Sequence, residues 1–201
     1  MRTAEAPPPT KERLLDAAER LMLAKGYAAT TVEAICEAAK LTKGSFFHYF
    51  DSKDQLGREL LERYCASGQK IHQAFCGRET DPLKRVYNYI DNAVKMSKEP
   101  AMRDGCLLGL FSQELCDTNP QIRTACKKGF DEWAKSFGQE VAKAKAAYAP
   151  HAPFDPQALA EHLIAVIEGS MIMGKARRDM SIVGQNLAHF KAYVKSLFES
   201  S

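Results

Sequence analysis

No stretch of this sequence is apolar enough to cross a bilayer: the longest uninterrupted run, Cys106 to Phe111, falls far short of the roughly 20 residues a spanning helix needs. The opening residues, MRTAEAPPPTKERLL, carry no apolar core ahead of a cleavage site, so neither a secretory leader nor a membrane partner is expected. No C-x-x-C pair occurs among the 6 cysteines, which argues against a zinc ribbon or a dithiol redox motif. Free thiols in a reducing, cytoplasmic setting are expected instead. Charge of one sign is also scarce. The net value of +3 permits nucleic-acid binding without indicating it. A phosphate-cradling loop, a nucleophile elbow and a paired-carboxylate motif are all missing. Cys106 with a distant His151, His162 or His189 is the remaining enzyme reading, and nothing orders such a pair. Neither an enzyme nor a cofactor is expected.

Period-2 stretches of β-branched residues are absent too, whereas helical periodicity runs through the chain. Leu14, Ala18, Leu21 and Met22 begin it, Val32, Ile35 and Ala39 form a short stripe, and Leu56, Leu60 and Tyr64 open a long one. Further stripes include Ile122–Cys126–Phe130–Trp133–Phe137–Val141 and Val183–Leu187–Phe190–Val194–Leu197. The fold is therefore read as all-α, with about nine helices. Asp81-Pro82, Asn119-Pro120 and Asp155-Pro156 each place a capping side chain before a first-turn proline. Thr30 with Glu33 has capping-box spacing, Thr10 can cap the first helix, and Gly26 can end it. A long helix is expected near residues 52 to 76.

Residues 31 to 50 read as an eight-residue helix, a turn at Lys40-Leu41-Thr42 and a second short helix, the pattern of a helix-turn-helix DNA reader. The second helix contains Phe46-Phe47-His48-Tyr49-Phe50. Because a helix turns about 100° per residue, five successive rings cannot all face one core. Phe46 and Phe50, four apart, suit the interior. Phe47, His48 and Tyr49 then lie outward, where rings can cover deoxyribose and polar tips can reach phosphate. Thr42 at the N-cap leaves backbone N–H groups for phosphate, Gly44 permits close approach, and Lys43 and Ser45 can reach base edges. A tight aromatic junction flanked by solvated lysines would fit the composition equally well.

The stretch TTVEAICEAAKLTKGSFFHYFDSKDQL resembles the signature of TetR-type bacterial transcriptional regulators. The resemblance implies a DNA-binding domain over 10–70 and a helical effector-binding and dimerisation domain over 71–201. By motif position it implies phosphate contacts from Thr30, Thr31 and Lys53. Thr42, Lys43, Gly44 and Ser45 would form the base-reading end, and Phe47, His48 and Tyr49 the backbone-contacting aromatics. Phe47 stands where tyrosine is usual, so one hydroxyl-to-phosphate bond is lost there. The partners expected are double-stranded operator DNA, a small-molecule effector and a second copy of the chain. The stripe from Val183 to Leu197, with the small residues Gly169, Ser170 and Gly174 on the preceding helix, is the expected dimer surface, although both stripes also suit an intramolecular core.

The segment DGCLLGLFSQELCDTNPQIR, 104 to 123, resembles a subgroup of these regulators that responds to reactive electrophiles, oxidants or small unsaturated acids. Cys106 opens its C-L-L-G helix, where the dipole favours thiolate. Asp104 opposes this, and Lys175, which ends LIAVIEGSMIMGK, is the cation expected to compensate. Phe111, Trp133, Phe137 and Met171 are candidate lining of an apolar effector cavity, though helical spacing suits plain core equally. His72 and Cys76 have the i, i+4 spacing of metal ligands, but no third ligand stands nearby in sequence, so no metal is expected.

Overall fold

The computed structural model describes residues 9–199, and among them every regular element is helical. Nine α-helices follow in order: α1 (Pro9–Lys25), α2 (Val32–Ala39), α3 (Lys43–Tyr49), α4 (Lys53–Cys76), α5 (Pro82–Met96), α6 (Leu107–Leu115), α7 (Pro120–Tyr148), α8 (Pro156–Arg177) and α9 (Ser181–Glu199), with a 3₁₀ turn at Pro100–Met102. The three proline-led starts behave as expected. Asp81 accepts from the Leu83 and Lys84 amides, Asp155 from Gln157 and Ala158, and Asn119 Oδ1 from Ile122 at 3.1 Å. Gly26 ends α1 at φ +92, a conformation that strains any residue with a Cβ.

Two caps differ from expectation. α1 begins at Pro9, so Thr10 sits inside the first turn instead of capping it. Thr31, not Thr30, caps α2 and accepts from the Ala34 amide at 3.1 Å. Thr30 is fully buried and its hydroxyl donates to the Gly26 carbonyl at 2.7 Å, closing the bend between α1 and α2.

The chain forms two compact units. The first contains the described residues up to Tyr64 together with Leu107–Lys127, and the second contains Cys65–Cys106 and the residues from Lys128 onward. The expected division at residue 70 lies inside α4, whose two halves belong to different units.

In the first unit, α1 packs on α2 and α3, and Leu14, Ala18 and Met22 of α1, Ile35 of α2 and Phe46 of α3 are all fully buried. Arg63 of α4 ties that helix to α1 through Glu12, Asp16 and Glu19 at 2.8, 2.6 and 2.6 Å. These carboxylates stand at i, i+4 and i+7, one face of α1. α6 joins the same unit: Phe111 is fully buried with its ring 5.4 Å from Tyr27, and Glu114 accepts from the Tyr27 and Ala28 amides at 3.2 and 3.0 Å.

In the second unit α9 lies between α5 and α8. Val183, Leu187, Phe190 and Val194 are all at most 3% exposed within the single chain. The stripe expected to form the dimer surface is thus intramolecular core, because α5 and α8 already cover it. A different face of α8 and α9 stays open, and it carries Ile172, Met173 and Tyr193, which are 53%, 41% and 45% exposed.

Candidate functional site

α3 is seven residues long, and the one residue it buries within its length is Phe46. The following Phe50 is 1% exposed, and the two rings meet at 5.5 Å. This pair anchors the helix while its other side chains point away from the core. Phe47 is 55% exposed, His48 is exposed and Tyr49 half-buried, and the His48 and Tyr49 rings meet edge-on at 4.7 Å. Thr42 caps α3, accepting from the Ser45 amide at 3.1 Å, with its hydroxyl 3.0 Å from that of Ser45. The turn before it is fixed by Lys40 in the left-handed region (φ 53) and by Arg13, which donates to the Ala39 carbonyl at 2.5 Å.

Lys43 is exposed and paired with Glu33 on the α2 side of the turn. Both partners are exposed and the pair is solvent-screened, so the lysine can exchange Glu33 for another anion. Gly44 is exposed, and a Cβ built there would meet only Thr42 Oγ1, at 3.6 Å. The fold itself therefore does not demand glycine at 44.

Lys53 is engaged within the fold. Its ammonium donates to the carbonyls of Tyr27 and Thr30, at 3.0 Å each, and lies 4.1 Å from the centre of the Tyr27 ring. Burial lowers its pKa, against the opposing pull of Asp54 and Glu114. Lys53 staples the α1–α2 bend while remaining half-buried, whereas the fully buried Thr30 presents no exposed surface. Thr31, exposed at the α2 cap, retains one.

The residues expected to sense an effector separate into groups. Phe111 belongs to the first unit, wedged beside Tyr27 and Gly57, where a Cβ on the glycine would come within 3.4 Å of its ring. It is packing of the reader, not lining of the second unit. Trp133 donates from Nε1 to the Tyr89 hydroxyl at 2.8 Å, and the Phe137 ring lies 4.8 Å from that of Tyr89. His72 and Phe75 approach the same tyrosine at 5.1 and 5.6 Å. Burial pushes the Tyr89 phenol up to about 12. Met171 is buried on α8.

Cys106 is 7% exposed and hydrogen-bonds the carboxyl of Glu168. Burial raises the Glu168 pKa, against the lowering effect of that bond, and its Oε1 is buried with no hydrogen-bond partner. Lys175 is exposed, and its ammonium donates to the Asp104 carbonyl at 3.4 Å, two residues before the cysteine. Gly105 between them takes φ +101. Sequence reasoning missed Glu168 here. It stands seven residues before Lys175, two turns along α8, and that spacing was the available signal. Glu114 was missed as well, since a lone glutamate on a short helix gives no hint of a distant amide partner.

A short capped helix that turns its aromatics outward, joined to a larger helical unit with a buried thiol and an open apolar face, defines a helix-turn-helix regulator. The family model described as "Bacterial regulatory proteins, tetR family" matches residues 14–60, and "Tetracyclin repressor-like, C-terminal domain" matches 82–190. The chain belongs to the TetR family of bacterial regulators. It is 28% identical over 180 residues to the HTH-type transcriptional repressor DhaR of Mycobacterium sp. strain GP1, covering 89% of each chain. It is 28% identical over 183 residues to the HTH-type transcriptional repressor NemR of Escherichia coli K12, covering 90% of this chain and 92% of NemR. The crystal structure of a reduced form of E. coli NemR superposes with a TM-score of 0.77 at 26% identity, over 92% of this chain and 97% of the other. That of a regulatory protein TetR from Rhodobacter sphaeroides gives 0.81 at 28% identity, over 91% and 97%.

Proposed function

We propose that the chain is a cytoplasmic repressor that binds a two-fold operator as a homodimer and lets go when a small reactive molecule engages Cys106. The observation that carries the DNA reading is the construction of α3: its core commitment is confined to Phe46, while Lys43, Phe47 and His48 lie exposed beside a glycine the fold does not require. A surface that must come close from outside supplies the missing reason for Gly44. Lys43 then reads base edges, and Thr31, Thr42, Phe47, His48 and Tyr49 hold the sugar-phosphate backbone.

The open α8–α9 face supports dimerisation. An open groove of about 410 Å³ runs along it, lined by residues that include His162, Gly169, Met173 and Tyr193. Two readers joined through this face suit two half-sites.

For the effector, support comes from the surroundings of Cys106. Glu168 can accept its proton, and Lys175 lies beside the same turn, so a thiolate has both a base and a cation at hand. Transmission has a covalent route. Cys106 ends the second unit's segment, and the next residue starts α6, whose Glu114 holds the end of α1. An adduct on the buried sulfur needs room, and the start of α6 moves to give it. α4, which belongs to both units, is a second lever.

A mobility-shift assay with the promoter beside its own gene tests the reading. The reduced parent should shift the promoter and lose it on treatment with an electrophile such as N-ethylmaleimide or methylglyoxal. Cys106→Ser should shift it equally and ignore the electrophile, while each of the other five Cys→Ser variants still responds. Release of Cys106→Ser as readily as the parent would sink the thiol switch and leave a reversible pocket around Trp133, Phe137 and Met171.

A further inference from the structure

The end of α4 and the middle of α7 bring together three metal-competent side chains that serve neither the DNA reader nor the thiol site. His72 and Cys76 stand four residues apart on α4, so they share one face. Glu140 arrives from α7. One ligand atom from each, an imidazole nitrogen, the Cys76 sulfur and a carboxylate oxygen, lie within 4.8 Å of one another. His72 Nε2 and Cys76 Sγ are 3.6 Å apart. Zinc bonds of about 2.3 Å to sulfur and about 2.0–2.1 Å to nitrogen, opened to a tetrahedral angle, set those atoms about 3.5–3.6 Å apart. The pair already stands at the edge length of a tetrahedral site.

Burial and partners point the same way. Cys76 and Glu140 are 1% and 5% exposed, and Nδ1 of the half-buried His72 is itself buried without a hydrogen-bond partner. Glu140 is held by two cations: Arg85 Nε donates to Oε2 at 2.5 Å and Lys143 Nζ to Oε1 at 3.0 Å. The Lys143 side chain is 61% exposed and can withdraw into water as a metal cation takes its place at Oε1 of the buried carboxylate. Arg85 also donates to the Glu79 carbonyl at 3.2 Å, so it can stay on Oε2 and orient the carboxylate from outside the coordination sphere.

We infer that His72, Cys76 and Glu140 form a site for one divalent transition-metal ion of borderline softness, zinc above all, with water as the fourth ligand. On binding, the Cys76 thiol proton passes to solvent, Lys143 swings away, and one thiolate and one carboxylate neutralise the dication. The bound ion fastens the end of α4 to α7. Arg85 is the opposing element, because its positive charge remains beside the ion and weakens the site.

The test uses the full-length protein, reduced and stripped with chelator, titrated with Co(II) and then Zn(II). One equivalent of Co(II) should give a thiolate-to-metal charge-transfer band with visible bands of tetrahedral intensity, and Zn(II) should displace them. Cys76→Ser should abolish the charge-transfer band, while Cys106→Ser keeps it. Glu140→Gln should weaken binding at least about tenfold, the loss seen even for groups that merely support a ligand, and Arg85→Gln should tighten it. No charge-transfer band at one equivalent, a band that survives Cys76→Ser, or unchanged affinity in Glu140→Gln would each overturn the site. X-ray absorption of the zinc-loaded parent guards against misfolded variants: a shell of one sulfur with nitrogen and oxygen is expected, and one without sulfur rejects the inference.

Discussion

α3 and α7 commit their apolar residues to the core to different degrees. The seven residues of α3 bury one phenylalanine and leave Phe47 and His48 in the open. The 29 residues of α7 bury Ile122 and Cys126 in the first unit and Phe137 and Val141 in the second, with Phe130 and Trp133 half-buried between them. A helix with several buried apolar residues along its length is explained by packing, and its sequence says little about purpose. A helix that gives up most of its apolar surface must be compensated by something outside the chain, so the residues it leaves exposed mark its function.

The contrast is sharpest when the same change is made in both helices. Phe46→Ala and Phe137→Ala each remove a fully buried ring, for a cost of about 3–5 kcal/mol. In α3 no second buried residue within the helix takes over, so Phe46→Ala should abolish operator binding even at temperatures where the protein remains helical. α7 keeps the rest of its stripe, and Phe137→Ala should lower the urea midpoint while the folded fraction still binds DNA. Circular dichroism with mobility shifts on the same samples checks both. Equal loss of binding per folded molecule would erase the distinction.

In the second unit, the open face of α8 and α9 resembles α3 in leaving apolar groups uncovered. Met173→Glu there should cost the dimer about 2–5 kcal/mol, the penalty of an unpaired charge at an interface, and leave monomer stability nearly unchanged. Sedimentation velocity at micromolar protein reads it out. A dimer that survives both Met173→Glu and Tyr193→Glu would place the interface elsewhere.

Lys53 tests whether a residue in the reader motif must serve DNA. Lys53→Met removes the donor to the carbonyls of Tyr27 and Thr30 while keeping an apolar stem, and should destabilise the protein by about 1–3 kcal/mol. As a staple, its loss leaves the salt dependence of operator binding unchanged. As a phosphate contact, its loss reduces the slope of log K against log salt by about one. Binding measured from low to moderate salt separates the two roles.

The fold was legible in sequence wherever local chemistry decides it. Each Asp-Pro or Asn-Pro start, the Gly26 stop and the division of labour within Phe46–Phe50 follow from capping and helical period alone. Pairings across the chain were not legible. Nothing local announces that Lys53 reaches the Tyr27 carbonyl, that Glu114 accepts from the Tyr27 and Ala28 amides just after α1, or that the stripe of α9 is claimed by α5 before a second subunit can use it. Periodicity states that a face is buried and is silent about what buries it. His72 and Cys76 show the same limit, since Glu140, which completes the cluster, is 64 residues beyond Cys76 in sequence.

The smallest effect expected concerns Glu168, which no motif marked. Burial raises the pKa of its carboxyl, so the folded state favours the neutral form more than the unfolded chain does. The stability this contributes is fully present below the ordinary carboxylate pKa of about 4.3 and is lost as pH rises through the raised folded value. As pH rises the fold therefore increasingly disfavours the charged form of this carboxyl, which sits beside the Cys106 thiol. Glu168→Gln removes the titration, so the variant should gain stability relative to the parent as pH rises from about 4 to 7, with the two converging at the acid end. Urea midpoints across that range, at constant m-value, measure the difference. If Glu168 also accepts the thiol proton, alkylation of Cys106 at pH 7 should slow in Glu168→Gln although the protein is more stable. A variant that alkylates faster would show instead that the carboxylate suppresses the thiolate by repulsion, and would hand activation to Lys175 alone. Parallel stability curves for the two proteins would mean that burial does not shift the Glu168 carboxyl on folding.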